Sequence, residues 1–181
     1  MLKRFFKMKR NQQVVIYSKI GDETVHTLGK VNAIGRDFVM VTNLKDRIWI
    51  PYQAIESANI PQGVPNFSNS HQYFIYDNDL KRKLLYNFGE TVSKRDALIQ
   101  QFYEESFATN LRSWKDTWVK IRTETDTLFG KIKHADKQTL LLSLLNEEMK
   151  VELKQIAGVQ SIRFLSLVSI IGKKQIKKMF Q

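Results

Sequence analysis

There is no cysteine among the 181 residues, which excludes disulfide frameworks, thiolate metal sites and cysteine nucleophiles. No apolar run approaches the roughly 18 residues of a membrane-spanning helix. No P-loop, G-x-G-x-x-G or G-x-S-x-G pattern occurs. The histidines His26, His71 and His134 lack a second histidine or a carboxylate at the helical i+3 or i+4 spacing of a metal pair, so no metal or cofactor is expected. Acidic residues are scarce, 18 against 29 basic, and the formal net charge is +11. Apolar residues make up 43%, enough for a folded core and too many for a disordered chain. The opening Met1, Leu2, Lys3, Arg4, Phe5, Phe6, Lys7 is charged with no apolar stretch behind it. It does not read as a secretory signal, and the chain is expected to be cytoplasmic as synthesised.

The charge is concentrated at the ends. Residues 1–13 hold Lys3, Arg4, Lys7, Lys9 and Arg10 without an acid. Residues 163–181 hold Arg163, Lys173, Lys174, Lys177 and Lys178, again without one. The stretch between them has 19 basic and 18 acidic residues and is close to neutral. A net-charge argument for nucleic acid therefore applies to the ends and not to the body. Both ends are also apolar: Leu2, Phe5, Phe6 and Met8 interleave with the first cations, and Ile176, Met179 and Phe180 fall at helical spacing among the last. Such segments suit an acidic protein groove, phosphates or an anionic membrane surface, without spanning it.

An internal repeat organises the remainder. At an offset of 101, Leu28, Gly29, Lys30 and Val31 fall on Phe129, Gly130, Lys131 and Ile132. Ile50 then falls on Val151 and Ile55 on Ile156, so the apolar positions match while the polar ones diverge. Within each copy, short β-branched runs alternate with turn residues. Strands are expected from residue 14 and over 25–34, 37–42, 47–50 and 57–60, with a helical turn at 52–56. The second copy repeats them over 118–123, 127–134, 139–144, 148–153 and 158–164. Five short, bent strands in about 50 residues favour a small closed barrel. The expected organisation is a basic arm (1–13), a first barrel (14–60), a loop and helical linker (61–113), a second barrel (114–164) and a basic amphipathic segment (165–181). In the linker, Asp79 is expected to cap a helix stopped by Gly89, and Ser93 to start a longer one to Arg112. That second helix would present Leu98, Phe102, Tyr103 and Phe107 to a barrel.

A helix, five bent strands and a short turn before the last strand resemble the Sm-like (LSm) fold. Asp37, Phe38, Val39, Met40 and Val41 resemble the family's first motif. The runs 50–55 and 151–156 keep the apolar ends of its second motif. The resemblance covers residues 14–60 and 93–164 and implies two tandem five-stranded barrels. In RNA-binding members an Asn of the first motif reads the base and an Arg-Gly pair helps close the pocket. Here those positions hold Val41 and Leu142, and Pro51-Tyr52 and Glu152-Leu153, which remove the donors and cations a base pocket needs. The runs 29–41 and 48–55 are also similar to the small-barrel repeats of Bacillus-type spore coat proteins. That similarity implies assembly onto a protein layer and no catalysis.

The function expected is thus non-catalytic interaction and assembly with other proteins or with further copies, in a structure such as a spore coat. The last strands, 57–60 or 158–164, are the candidate edges for self-association. An Sm-like RNA regulator using the basic ends is the alternative, and a peripheral membrane adaptor using residues 165–181 a third. Trp49 and Tyr52 are expected at the mouth of the first barrel, where rings could meet a ligand. Trp114 and Trp118 are expected to pack where the linker meets the second barrel.

Overall fold

The computed structural model describes residues 1–44, 46–63, 82–83, 85–93, 105–144 and 147–163. Helix α1 (Leu2–Met8) precedes strands β1 (Gln13–Ile20), β2 (Glu23–Ile34), β3 (Phe38–Thr42) and β4 (Arg47–Pro51). A 3-10 turn at Tyr52–Ala54 leads into β5 (Ile55–Asn59). Helices α2 (Phe88–Ser93) and α3 (Phe107–Ser113) follow. The second half has β6 (Trp118–Thr123), β7 (Thr127–Ala135), β8 (Thr139–Leu144) and β9 (Glu147–Glu152). A 3-10 turn at Leu153–Gln155 then leads into β10 (Ile156–Ser161). The chemistry behind the strands is simple alternation. Val14 and Ile16 in β1, and Val119 and Ile121 in β6, are fully buried, while their neighbours are not.

These strands do not make two closed barrels joined by a helical linker. They form one open antiparallel sheet in the order β5-β1-β2-β3-β4-β10-β6-β7-β8-β9. The edge of β4 that would close the first unit on itself instead pairs with the other repeat, Trp49 opposite Val159 and Ile48 opposite Gln160. The side chains explain the preference. Phe38, Met40 and Trp49 point away from the first unit's own core, and an isolated barrel would leave all three in water. In the continuous sheet they join Phe107, Leu111 and Trp114 and the core of the second unit. The opposite face of the same strands, Val39, Val41 and Ile50, packs with Phe6, Val14, Ile16 and Val31. Strand β3 is therefore buried on both faces, which accounts for its unbroken apolar run from Phe38 to Val41.

The repeat is exact in its irregularities. The β2–β3 ladder slips between Val31 and Ala33, and the β7–β8 ladder between Ile132 and His134, at matching positions. A second slip lies beside Ile55 on β5 and beside Ile156 on β10. Such bulges bend a strand and increase its twist, so the same bends recur in both halves. Gly29 and Gly130 lie where a strand crosses closely, since an added Cβ would come within 3.0 Å of Val41 Cβ and 2.9 Å of Leu142 Cβ. The one length change is in the first hairpin. Val14 faces Gly29 in β1–β2, whereas Val119 faces Gly130 in β6–β7, an offset of 105 before the turn and 101 after it.

The linker differs from expectation. Gly89 lies inside α2 instead of ending a helix, and Ser106 is extended (φ −80, ψ 157), so no single helix runs from Ser93 to Arg112. The expected contacts of Leu98, Phe102 and Tyr103 lie outside the described residues. Helix α3 starts where the first repeat anchors it. Ser106 Oγ accepts the Thr109 amide at 3.2 Å, Asp37 Oδ1 accepts the Phe107 amide at 2.8 Å, and Glu105 O accepts the Arg36 amide at 2.9 Å. Asp37 thus caps a helix 70 residues away. Asp37→Ala is expected to cost about 1–2 kcal/mol, read as a lower urea midpoint, with Asp37→Asn retaining most of the stability.

Candidate interaction surface

The first basic end is a folded helix. Phe6 of α1 is fully buried in the first core, with Leu2 and Phe5 packed beside it. After the helix, Asn11 takes a left-handed conformation (φ 62) and donates its amide to Val31 O at 2.9 Å, which ties the segment to β2. Asp116 (φ 69) does the same before β6 by donating to Ile132 O at 2.8 Å. Of the cations on α1, Arg4 and Lys7 are exposed and Lys3 is half-buried; Lys9 and Arg10, just past its end, are half-buried. Lys173, Lys174, Lys177 and Lys178 lie outside the described residues.

Trp49 does not stand at a mouth. Its side chain has no exposed surface, its Nε1 donates to Asn110 Oδ1 at 2.7 Å, and its ring meets Trp114 edge-on at 5.2 Å. No face is left for a base or a peptide. Tyr52 is half-buried, with its ring stacked on Phe6 at 6.1 Å and its hydroxyl donating to Gly35 O at 3.2 Å. Burial, and secondarily the Asp37 carboxylate, push its pKa well above the ordinary phenol value, so it stays neutral. Trp49 joins the repeats, and Tyr52 packs against α1 while lining a surface cleft with Arg36, Gln53 and Arg112. Trp114 packs, as expected, and is buried. His26 lies edge-on to Tyr17 and His134 pairs with Asp136 at 2.8 Å on the surface.

The backbone offers a more specific surface. Among the described residues nothing pairs with the outer edge of β5 or of β9, the two ends of the sheet. The sequence expectation placed a free edge at 57–60 or at 158–164. Residues 57–59 of the first stretch lie in β5 and are at an edge, but β10 is interior, held between β4 and β6. The other free edge is β9. It carries Glu147, Glu148 and Glu152, all exposed, against one exposed cation, Lys150. The edges are not equivalent. β5 is the fifth strand of the first repeat and β9 the fourth strand of the second, the same two kinds of strand that join at the β4–β10 seam.

No helix among the described residues is long and apolar enough to cross a membrane. No protein-family model matches the chain, and no curated protein does.

Proposed function

We propose that this chain is a non-catalytic assembly protein that joins further copies of itself head to tail through β9 and β5. The observation that carries the reading is the β4–β10 seam, in which a fourth strand accepts a fifth strand and leaves the complementary pair without a partner among the described residues. Repeating the seam between molecules sets a register. Trp49–Val159 becomes Lys150 opposite Ala58 of the next copy, and Ile48–Gln160 becomes Met149 opposite Asn59. Charge favours the same arrangement. In the seam, α3 covers the outer face of the preceding repeat, and α1 packs on β2 as α3 packs on β7. The incoming α1, with Lys3, Arg4 and Lys7, would then lie over the acidic β9 of its neighbour. A heterologous contact of this kind builds a ring or a filament. The order of helix, five strands and a turn before the last strand, present twice, is consistent with a relationship to the Sm-like family. A protein layer such as a spore coat is the setting that the sequence resemblance implies.

The test uses the absence of native cysteine. Directly opposed strand positions lie within disulfide reach. A chain carrying both Ala58→Cys and Lys150→Cys is therefore expected to give a reducible ladder of oligomers on mild oxidation, and neither single variant to give more than a dimer. Absence of the ladder, together with a strict monomer by sedimentation at high concentration, overturns the proposal.

A further inference from the structure

The seam also creates a cleft. Because β4 pairs with β10 and β10 with β6, one face of the sheet runs from Ile48 across Gln160 and Gly158 to Lys120 and Arg122. The cavity on it has a volume of about 210 Å³, and Ser18, Ile48, Ile50, Lys120, Arg122 and Gly158 are among the residues that line it; among the described residues no Asp or Glu does. The tips of the two hairpins meet nearby. Gly21, in a left-handed turn (φ 60), lies so close to the other hairpin that a Cβ would be 3.1 Å from Glu124 O.

Among the described residues three groups in the cleft have neither a counter-charge nor a hydrogen-bond partner, although the Lys120 ammonium lies over the Phe129 ring at 6.0 Å from its centroid. Lys120 and Arg122 project from the same face of β6, both half-buried, and neither has an ion-pair partner among the described residues. Burial first, and the neighbouring Arg122 charge second, lower the Lys120 pKa, so the pair is held together against repulsion. The Asp46 carboxylate accepts from Gln160 Nε2 at 2.8 Å and from neither cation. The third group is Ser18, 3% exposed, whose Oγ has no hydrogen-bond partner.

The repeat makes this orphan informative. The matching residue in the second half is Thr123, whose hydroxyl donates to Asp126 O at 3.1 Å and accepts the Asp126 amide at 2.9 Å. Ser18 sits further inside the longer first hairpin, opposite Val25, where no turn folds back to it. Conversely, the positions matching Lys120 and Arg122 in the first half are Val15 and Tyr17. The fold therefore does not require either cation. Buried polar groups left unpaired and like charges left unneutralised are costs that a bound anion removes.

We propose that this cleft binds one phosphate group, as inorganic phosphate or as the monoester of a small metabolite. The Arg122 guanidinium presents a bidentate fork to it, Lys120 a second charge, and the Ser18 hydroxyl a hydrogen bond. The volume is enough for one phosphate group with a few further atoms. The site lies within a single copy and is independent of self-association.

Isothermal titration at fixed ionic strength with inorganic phosphate, and separately with glycerol 3-phosphate, is expected to show one site per chain. The tighter of the two probes identifies the source of the phosphate. Arg122→Gln is expected to weaken binding at least about tenfold, and Lys120→Gln supplies a second variant should Arg122→Gln fail to fold. Ser18→Ala is expected to weaken binding several-fold while leaving the phosphate-free melting temperature unchanged or higher, because its hydroxyl has no partner to lose. Absence of binding of either probe at millimolar concentration, or wild-type affinity in both cation variants, overturns the proposal.

Discussion

Trp49→Ala is expected to cost about 3–5 kcal/mol, the range for removing a large buried aromatic, and to do so for both halves at once. The indole fills the space between the repeats, lies against Trp114 and donates to the buried Asn110. Truncation opens a cavity there and leaves the Asn110 carbonyl oxygen without its indole donor, although the Asn110 amide still donates to Glu105 Oε2 at 2.9 Å. The residue stands on β4 at the seam, so its loss weakens the core of the second repeat and the strand pairing of the first together. Urea unfolding followed by fluorescence and by circular dichroism should give one coincident transition in the native chain, at a lower midpoint in the variant. Trp49→Phe keeps most of the volume and removes the donor. It should fall between the two, which separates the cost of the cavity from that of the hydrogen bond. Two resolved transitions in the native chain would show that the halves unfold independently and that the seam contributes little.

Gly35→Ala is the second large effect, expected at about 3 kcal/mol, the upper part of the usual overpacking range. A methyl group there would lie 2.0 Å from Phe38 Cε1 and 2.7 Å from Glu105 O. Neither can yield cheaply. Phe38 is 1% exposed and held against Phe107, and Glu105 O accepts the Arg36 amide that docks the start of α3. The variant should therefore loosen α3 from the first repeat as well as lower the melting temperature. Faster amide exchange at Phe107, whose amide is bonded to Asp37, would report this directly. Gly89→Ala, with nothing within 4 Å of the added methyl, is the control and should not destabilise. Equal melting temperatures for the two variants would overturn the crowding argument.

Much of the local structure is legible along the chain. The duplicated apolar positions, the strand alternation and the turn before each last strand recur in the structure because each depends on neighbours a few residues apart. The pairing of β4 with β10 is not legible in that way, since it joins residues about 110 apart and both edges of a bent five-stranded unit look alike in local sequence. A signal was nonetheless present. The outward positions Phe38, Met40 and Trp49 of the first repeat correspond to Thr139, Leu141 and Lys150 of the second. A repeat whose outer face is apolar in one copy and mostly polar in the other has one copy covered and one free. Trp49 read as a ligand-facing ring is the same observation given the wrong partner. Ser18, Lys120 and Arg122 carried no signal at all, because a serine in a strand and two cations at alternate strand positions are ordinary on a solvated face.

The repeat unit is therefore readable along the chain: two copies of a bent, five-stranded arrangement with a turn before the last strand, in a neutral body with basic ends, whereas the helix over Leu2–Met8 is not. Hydrophobic periodicity and turn chemistry act over short distances, and they are written in consecutive residues. Long-range pairing sets the rest: the units merge into one open sheet, Trp49 becomes a core residue, and β5 and β9 are the edges without a partner among the described residues. It also places Lys120 and Arg122 in the same cleft as an unpaired Ser18. Each of these depends on which strand edge finds which partner, and that choice is made by burying the outward Phe38, Met40 and Trp49 against the other half of the chain.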